Sequence, residues 1–101
     1  MRGEKARRRA ARQLVHEYHE RELARLLEHV RAGFDGFDAG ELDAFELDDL
    51  IHRYKRAARE LWKFCANRPE SVAWAIEDAR GRSDELDWWA AGEPRRRTGG
   101  D

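Results

Sequence analysis

The chain has 101 residues, of which 41% are charged and 41% hydrophobic, and its 20 basic and 21 acidic side chains leave a net charge of −1. With 10% aromatics and only 2 prolines, it can build one small domain with a modest core, which excludes a wholly disordered chain. The lone Cys65 excludes an internal disulfide framework and a cysteine-based zinc site, and no apolar run nears the roughly 20 residues of a membrane span.

From Glu4 to Ala32 the chain holds neither Gly nor Pro and is dense in Arg, Glu, Ala and Leu, which predicts a first helix over 4–32 stopped at Gly33. The stretch GFDGFDAGELD, 33–43, reads as a loop, with Phe34, Phe37, Leu42 and Phe45 forming an apolar plug at its tip. Asp43 followed by Glu46 is a capping box that opens a second helix over 43–66. In it Leu47, Ile51, Tyr54, Ala58, Leu61 and Cys65 keep the heptad spacing of a helix seam. Pro69 opens a third helix over 69–80, with Val72, Ile76 and Ala79 inward and Gly81 at its end. Ser83 is expected to cap a last short piece, DELDWWAAG. EPRRRTGGD, 93–101, is expected to be a disordered polar tail on a single helical domain of residues 1–92.

The expected fold is therefore all-α: a long antiparallel helical hairpin with a shorter third helix packed on its open end, bundle-like and open to completion by oligomerisation. A loop of about ten residues sets Val30 near Leu47, His19 opposite Ala58 and His16 near Leu61. At about 100° per residue, Leu14, Val15 and Tyr18 point roughly 120° away from Leu23, Leu26, Leu27 and Val30. The second helix likewise has a second apolar edge, Leu50, Ala57 and Phe64. A hairpin alone leaves both edges wet, so they are expected to meet the third helix, the Trp-bearing piece or a second protomer. Trp62 is expected in the core. Trp88 and Trp89 diverge by about 100° and cannot both enter one groove, so one is expected either to be exposed or to meet a partner as an interface anchor. The candidate interface is Leu14, Tyr18, Leu50, Phe64, Trp88 and Trp89.

Several patterns bear on chemistry. In DDLIH, Asp48 and Asp49 precede His52 at helical spacing, as in the carboxylate–histidine motif of ferritin-like metal proteins. The seam turns this face outward, where the pattern is a solvated charge ladder. In HEYHE, His16 and His19 extend the Leu23 stripe toward the second helix and could share an ion, though the spacing is not that of HExxH. No third inward ligand accompanies them. The twelve residues Asp35–Glu46 superficially resemble a calcium-binding EF-hand loop, but Phe37 and Ala39 stand where oxygen ligands belong. Ser71 and Ser83 sit in helix-start contexts and Cys65 on the seam, so no cofactor and no enzymatic activity are expected.

Charge is unevenly placed. Arg2, Lys5, Arg7, Arg8, Arg9 and Arg12 crowd the start, while Asp35, Asp38, Glu41, Asp43, Glu46, Asp48 and Asp49 crowd the turn. Arginine outnumbers lysine 17 to 3, as GC-rich coding in many bacteria produces. The stretch 26–65, with its helix, GEL turn and second helix bearing Tyr54 and Cys65, loosely resembles the small subunit of exonuclease VII. The turn to Tyr54 is longer here and the glycine after the tyrosine is absent, so the resemblance implies a helical hairpin and no function.

The function expected is a non-enzymatic protein–protein interaction module that self-associates or completes a larger complex. One alternative is a nucleic-acid-associated accessory or antitoxin-like regulator using Arg7, Arg8, Arg9 and Arg12. A second is a ferritin-like metal binder using His16, His19, His52, Asp48 and Asp49. The start MRGEKARRRAARQLV lacks the apolar core of a signal peptide, and a cytoplasmic protein without membrane contact is expected.

Overall fold

A computed structural model describes residues 2–94; Met1 and residues 95–101 of the expected tail lie outside the described residues. These form four helices and no strand: α1 (Arg2–Asp38), α2 (Ala44–Cys65), α3 (Pro69–Gly81) and α4 (Trp88–Ala91). The all-α hairpin with a shorter third helix is present, with α1 and α2 antiparallel.

Its main departure from expectation is that Gly33 does not stop α1, which continues to Asp38. Gly33 is buried, and a Cβ there would lie 2.9 Å from Leu50 Cδ1 and 3.3 Å from Leu47 Cδ1. It is a point of close helix approach. The stop is Gly40, at φ 77°, a left-handed conformation that glycine adopts without steric cost. There the Glu41 N–H donates to Gly36 O at 2.8 Å and the Gly40 N–H to Phe37 O at 3.1 Å, the paired bonds of a Schellman ending. Lengthening α1 displaces the hairpin register by more than a turn. Tyr18 now meets Phe64, at 6.1 Å between ring centroids, so His19 and His16 do not face Ala58 and Leu61 as expected.

The start of α2 is as its sequence indicates. Asp43 Oδ1 accepts from the Glu46 N–H at 2.8 Å, and Glu46 Oε1 accepts from the Asp43 N–H at 3.0 Å. Ser83, expected to open the last helix, instead ends α3. At φ 53°, its N–H donates to Arg80 O while that of Asp84 donates to Ala79 O at 2.8 Å. Asp87 caps α4, its Oδ1 accepting from the Ala90 N–H at 3.1 Å. Glycine thus stands two positions too early, at the last residue of α3, where a Cβ on Gly81 would meet nothing within 4 Å. Exchanging the two, as Gly81→Ala with Ser83→Gly, should raise stability by about 1–2 kcal/mol in denaturant unfolding. No change in the midpoint would contradict this ending.

The molecule measures 58 × 38 × 23 Å, and its thinnest dimension is that of two helix layers. One layer is the hairpin. The other is α3, running alongside the first half of α1, and α4, lying over the groove between α1 and α2. Val15, Tyr18, Leu26, Ala57, Leu61, Val72 and Ile76 form the core between them. Leu61 and Ile76 are completely enclosed, each contributing about 2–3 kcal/mol by burial. The buried face of α2 is centred between its two apolar edges, for Ala57 is fully buried whereas Ile51, Tyr54 and Ala58 of the seam are half-buried.

The α4 segment is strapped down from both sides. Arg53 Nε donates to Trp89 O at 3.1 Å and Arg56 Nε to Gly92 O at 2.8 Å, placing two cations at the carbonyl end of α4. Both consecutive tryptophans are half-buried within the chain, because α4 has a helix on either side. Trp88 donates its Nε1–H to the Tyr18 hydroxyl at 2.7 Å and packs 5.1 Å from Phe64. Trp89 lies between His29, stacked at 4.1 Å, and the Arg53 guanidinium, 4.4 Å from the ring centroid. Trp62, expected in the core, is 61% exposed instead.

Candidate interaction surface

The polar candidates stay apart. His52 is exposed, as its position opposite the seam requires, and its Nδ1 lies 2.8 Å from Asp48 O and 3.4 Å from Asp48 Oδ2. Asp49 is exposed, His16 is exposed and His19 half-buried. Among the described residues no three His, Cys, Asp or Glu side chains converge to hold a metal ion. Asp35–Asp38, the start of the EF-hand-like stretch, is helical and forms no loop. An exposed i, i+4 pair is worth a few tenths of a kcal/mol, so His52→Ala should shift unfolding by less than about 0.5 kcal/mol. A loss several times larger would reveal another role.

Cys65 is half-buried, and burial first, with the nearby Glu22 carboxylate second, pushes its thiol up to about 11 from an ordinary 9.0. A thiol so raised stays protonated at neutral pH and is a poor nucleophile. Burial also raises the Tyr18 hydroxyl. Both groups are neutral in the native state, so the folded pKa exceeds the unfolded one. The contribution of Cys65 is complete below pH 9 and is lost as pH rises through about 11, while that of Tyr18 is complete below pH 10.0 and is lost as pH rises through its raised value. Urea midpoints should therefore fall between pH 9 and 11, less steeply in Cys65→Ala.

Two features invisible in the sequence surround α4. Glu22 is buried beside Arg25 at 3.4 Å, and Arg25 reaches Glu85 at 3.5 Å, tying the segment before α4 to α1. The cleft there, walled by Tyr18, Glu22, Arg25, Ile76 and Leu86, holds about 90 Å³, well short of the roughly 300 Å³ of small-molecule pockets. A shallower groove of about 570 Å³ lies beside His52, Arg53, Arg56 and Trp89, whose two arginines are committed to the α4 carbonyls.

The side chains expected at an interface are largely used inside the chain. Tyr18 is buried, and Leu14, Leu50, Phe64, Trp88 and Trp89 are half-buried. The uncovered apolar surface lies on the opposite side of the hairpin. α3 and α4 are met by Val15, Tyr18 and His29 of α1 and by Arg53, Ala57 and Phe64 of α2. About 100° or more around each helix, Leu23, Leu27, Val30 and Phe34 form one stripe and Ile51, Ala58 and Trp62 another. In antiparallel helices these stripes share a side. Leu27 is 48%, Phe34 46% and Trp62 61% exposed; the other four are half-buried. No helix of the described residues covers that side.

This open side runs between opposite charges. Lys5, Arg7, Arg8, Arg9 and Arg12 are all exposed at one end, with Arg7 Nε bonded to Gly3 O at 3.2 Å. At the other, Asp35, Asp38, Glu41, Asp48 and Asp49 are exposed around Phe34, Phe37 and Phe45. The expected plug is therefore not buried; Phe45 is 83% exposed and of its four residues only Leu42 is half-buried. Basic side chains at the start of α1 and carboxylates on its last turn both oppose its macrodipole. Such local disagreement is characteristic of surfaces serving another purpose. No helix of the described residues is long and apolar enough to cross a membrane. Comparison with protein-family models, curated proteins and solved structures finds no match for the chain.

Proposed function

We propose that this protein is a non-enzymatic helical interaction module of the cytoplasm, which binds another protein chain through the open side of its α1–α2 hairpin. The observation that carries this reading is the coexistence of Leu27, Phe34 and Trp62, each about half exposed or more, on the one side of the hairpin that α3 and α4 leave bare. Large aromatic and aliphatic groups set in a polar rim are the usual anchors of protein interfaces. Photo-crosslinking residues placed at positions 27 and 62 in cells should each give a discrete protein adduct, while one at Glu77 on α3 gives none. Adducts at position 77 alone, or none at 27 and 62, would overturn the reading.

A second reading uses the exposed Arg7, Arg8, Arg9 and Arg12 as phosphate contacts to nucleic acid. It rests on the basic first turns of α1, which the helix dipole disfavours. Binding to a duplex should then weaken steeply with salt and vanish when residues 1–12 are removed. Affinity unchanged by that deletion would dismiss it.

A further inference from the structure

We propose that the open side of the hairpin receives a second copy of this chain, laid antiparallel across a two-fold axis near the middle of α1. This rests on the reading of that side as a protein interface and names its occupant.

The pattern along the open edge of α1 is self-complementary. Arg9 and Arg12 come first, Leu23 and Leu27 occupy the middle, and Phe34 and Asp38 follow, with Glu41 just beyond. A two-fold axis beside residue 25 sets Leu23 against Leu27 of the second copy and Phe34 against its His16. The same operation sets Asp38 against Arg12 of the second copy and Glu41 against its Arg9. Every pair occurs twice, as an isologous interface demands. Trp62, toward the basic end of the hairpin, then reaches the Val30 and Ile51 region of the other copy. Its exposed indole and the bare Leu27 become the centre of a four-helix layer, with α3 and α4 of each copy outside.

Charge decides the direction. A parallel pairing would put Lys5, Arg9 and Arg12, the exposed basic side chains on this edge of α1, against their own copies, and the carboxylates of the turn against theirs. The antiparallel pairing relieves both ends of α1 at once, supplying acid to its N-terminal turns and base to its C-terminal ones. It also closes on itself, so the product is a dimer and not a filament.

The test is sedimentation of the full chain with charge reversals at exposed sites that the fold does not use. Arg12→Glu and Asp38→Arg should each weaken dimerisation about tenfold or more, because each breaks two symmetric pairs and creates two like-charge contacts. The combined variant should recover to within about threefold of the original, and circular dichroism should report the same helix content throughout. A dimer indifferent to the single reversals, or no recovery in the combined variant, would overturn the antiparallel pairing while leaving the open side an interface. A chain monomeric at all concentrations, yet crosslinked to a different protein from positions 27 and 62, would overturn the second copy alone. Loss of those crosslinks as well would remove the interface reading itself.

Discussion

Gly92→Ala is expected to lower the stability of the protein by about 3 kcal/mol and to release α4 from the hairpin. The reason is space and not backbone freedom, since Gly92 has φ −86° and ψ 0°, which any residue adopts. A Cβ there would sit 2.7 Å from Ala57 Cβ, 2.7 Å from Arg53 O and 2.9 Å from Ala57 N. Two of those atoms are helix backbone and cannot yield. The strain is relieved only by lifting the segment, which breaks the Arg56 bond to Gly92 O and the Arg53 bond to Trp89 O. It also uncovers Trp88 and Trp89. Denaturant unfolding reads the loss, and near-ultraviolet dichroism reads the change around the tryptophans. A variant with unchanged midpoint and unchanged aromatic signal would show that α4 does not approach α2 so closely.

Trp88→Ala should cost a similar amount, about 3 kcal/mol, because it removes the ring that fills the space between Tyr18 and Phe64. Tyr18→Phe should cost about 1–2 kcal/mol, since it removes the acceptor of the Trp88 N–H and leaves that donor without the hydroxyl. The two losses should not add. With Trp88 gone, deleting the Tyr18 hydroxyl should matter much less, and the double-mutant cycle isolates the bond. Strict additivity would mean that the two side chains do not interact.

How much of this was legible in the sequence depended on whether the determinant was local. The start of α2 was plain because Asp43 and Glu46 satisfy each other within four residues. The start of α3 was plain because proline suits a first helical position. The end of α1 was not, because Gly33 and Gly40 look alike in a sequence. One is needed for contact with Leu47 and Leu50 and the other for a left-handed turn, and only the first depends on a distant helix. Ser83 misled for a related reason: a residue favoured at helix starts occupies the strained position at a helix end. The uncovered edges of α1 and α2 were correctly located as needing a neighbour, but the sequence could not weigh the four-residue α4 as that neighbour. It closes the side with Trp88, Trp89, Arg53 and Gly92, none of which shows a periodic pattern. That displaced the candidate surface to Leu27, Phe34 and Trp62, the last of which was expected in the core.

Native mass spectrometry of the full chain across a range of concentrations decides whether the bare side of the hairpin is an interface for another chain. The result predicted is a species at twice the 11.9 kDa chain mass that grows with concentration and is depleted by Leu27→Glu. A single-chain mass at every concentration up to high micromolar, with no bound protein and no effect of Leu27→Glu, would contradict it.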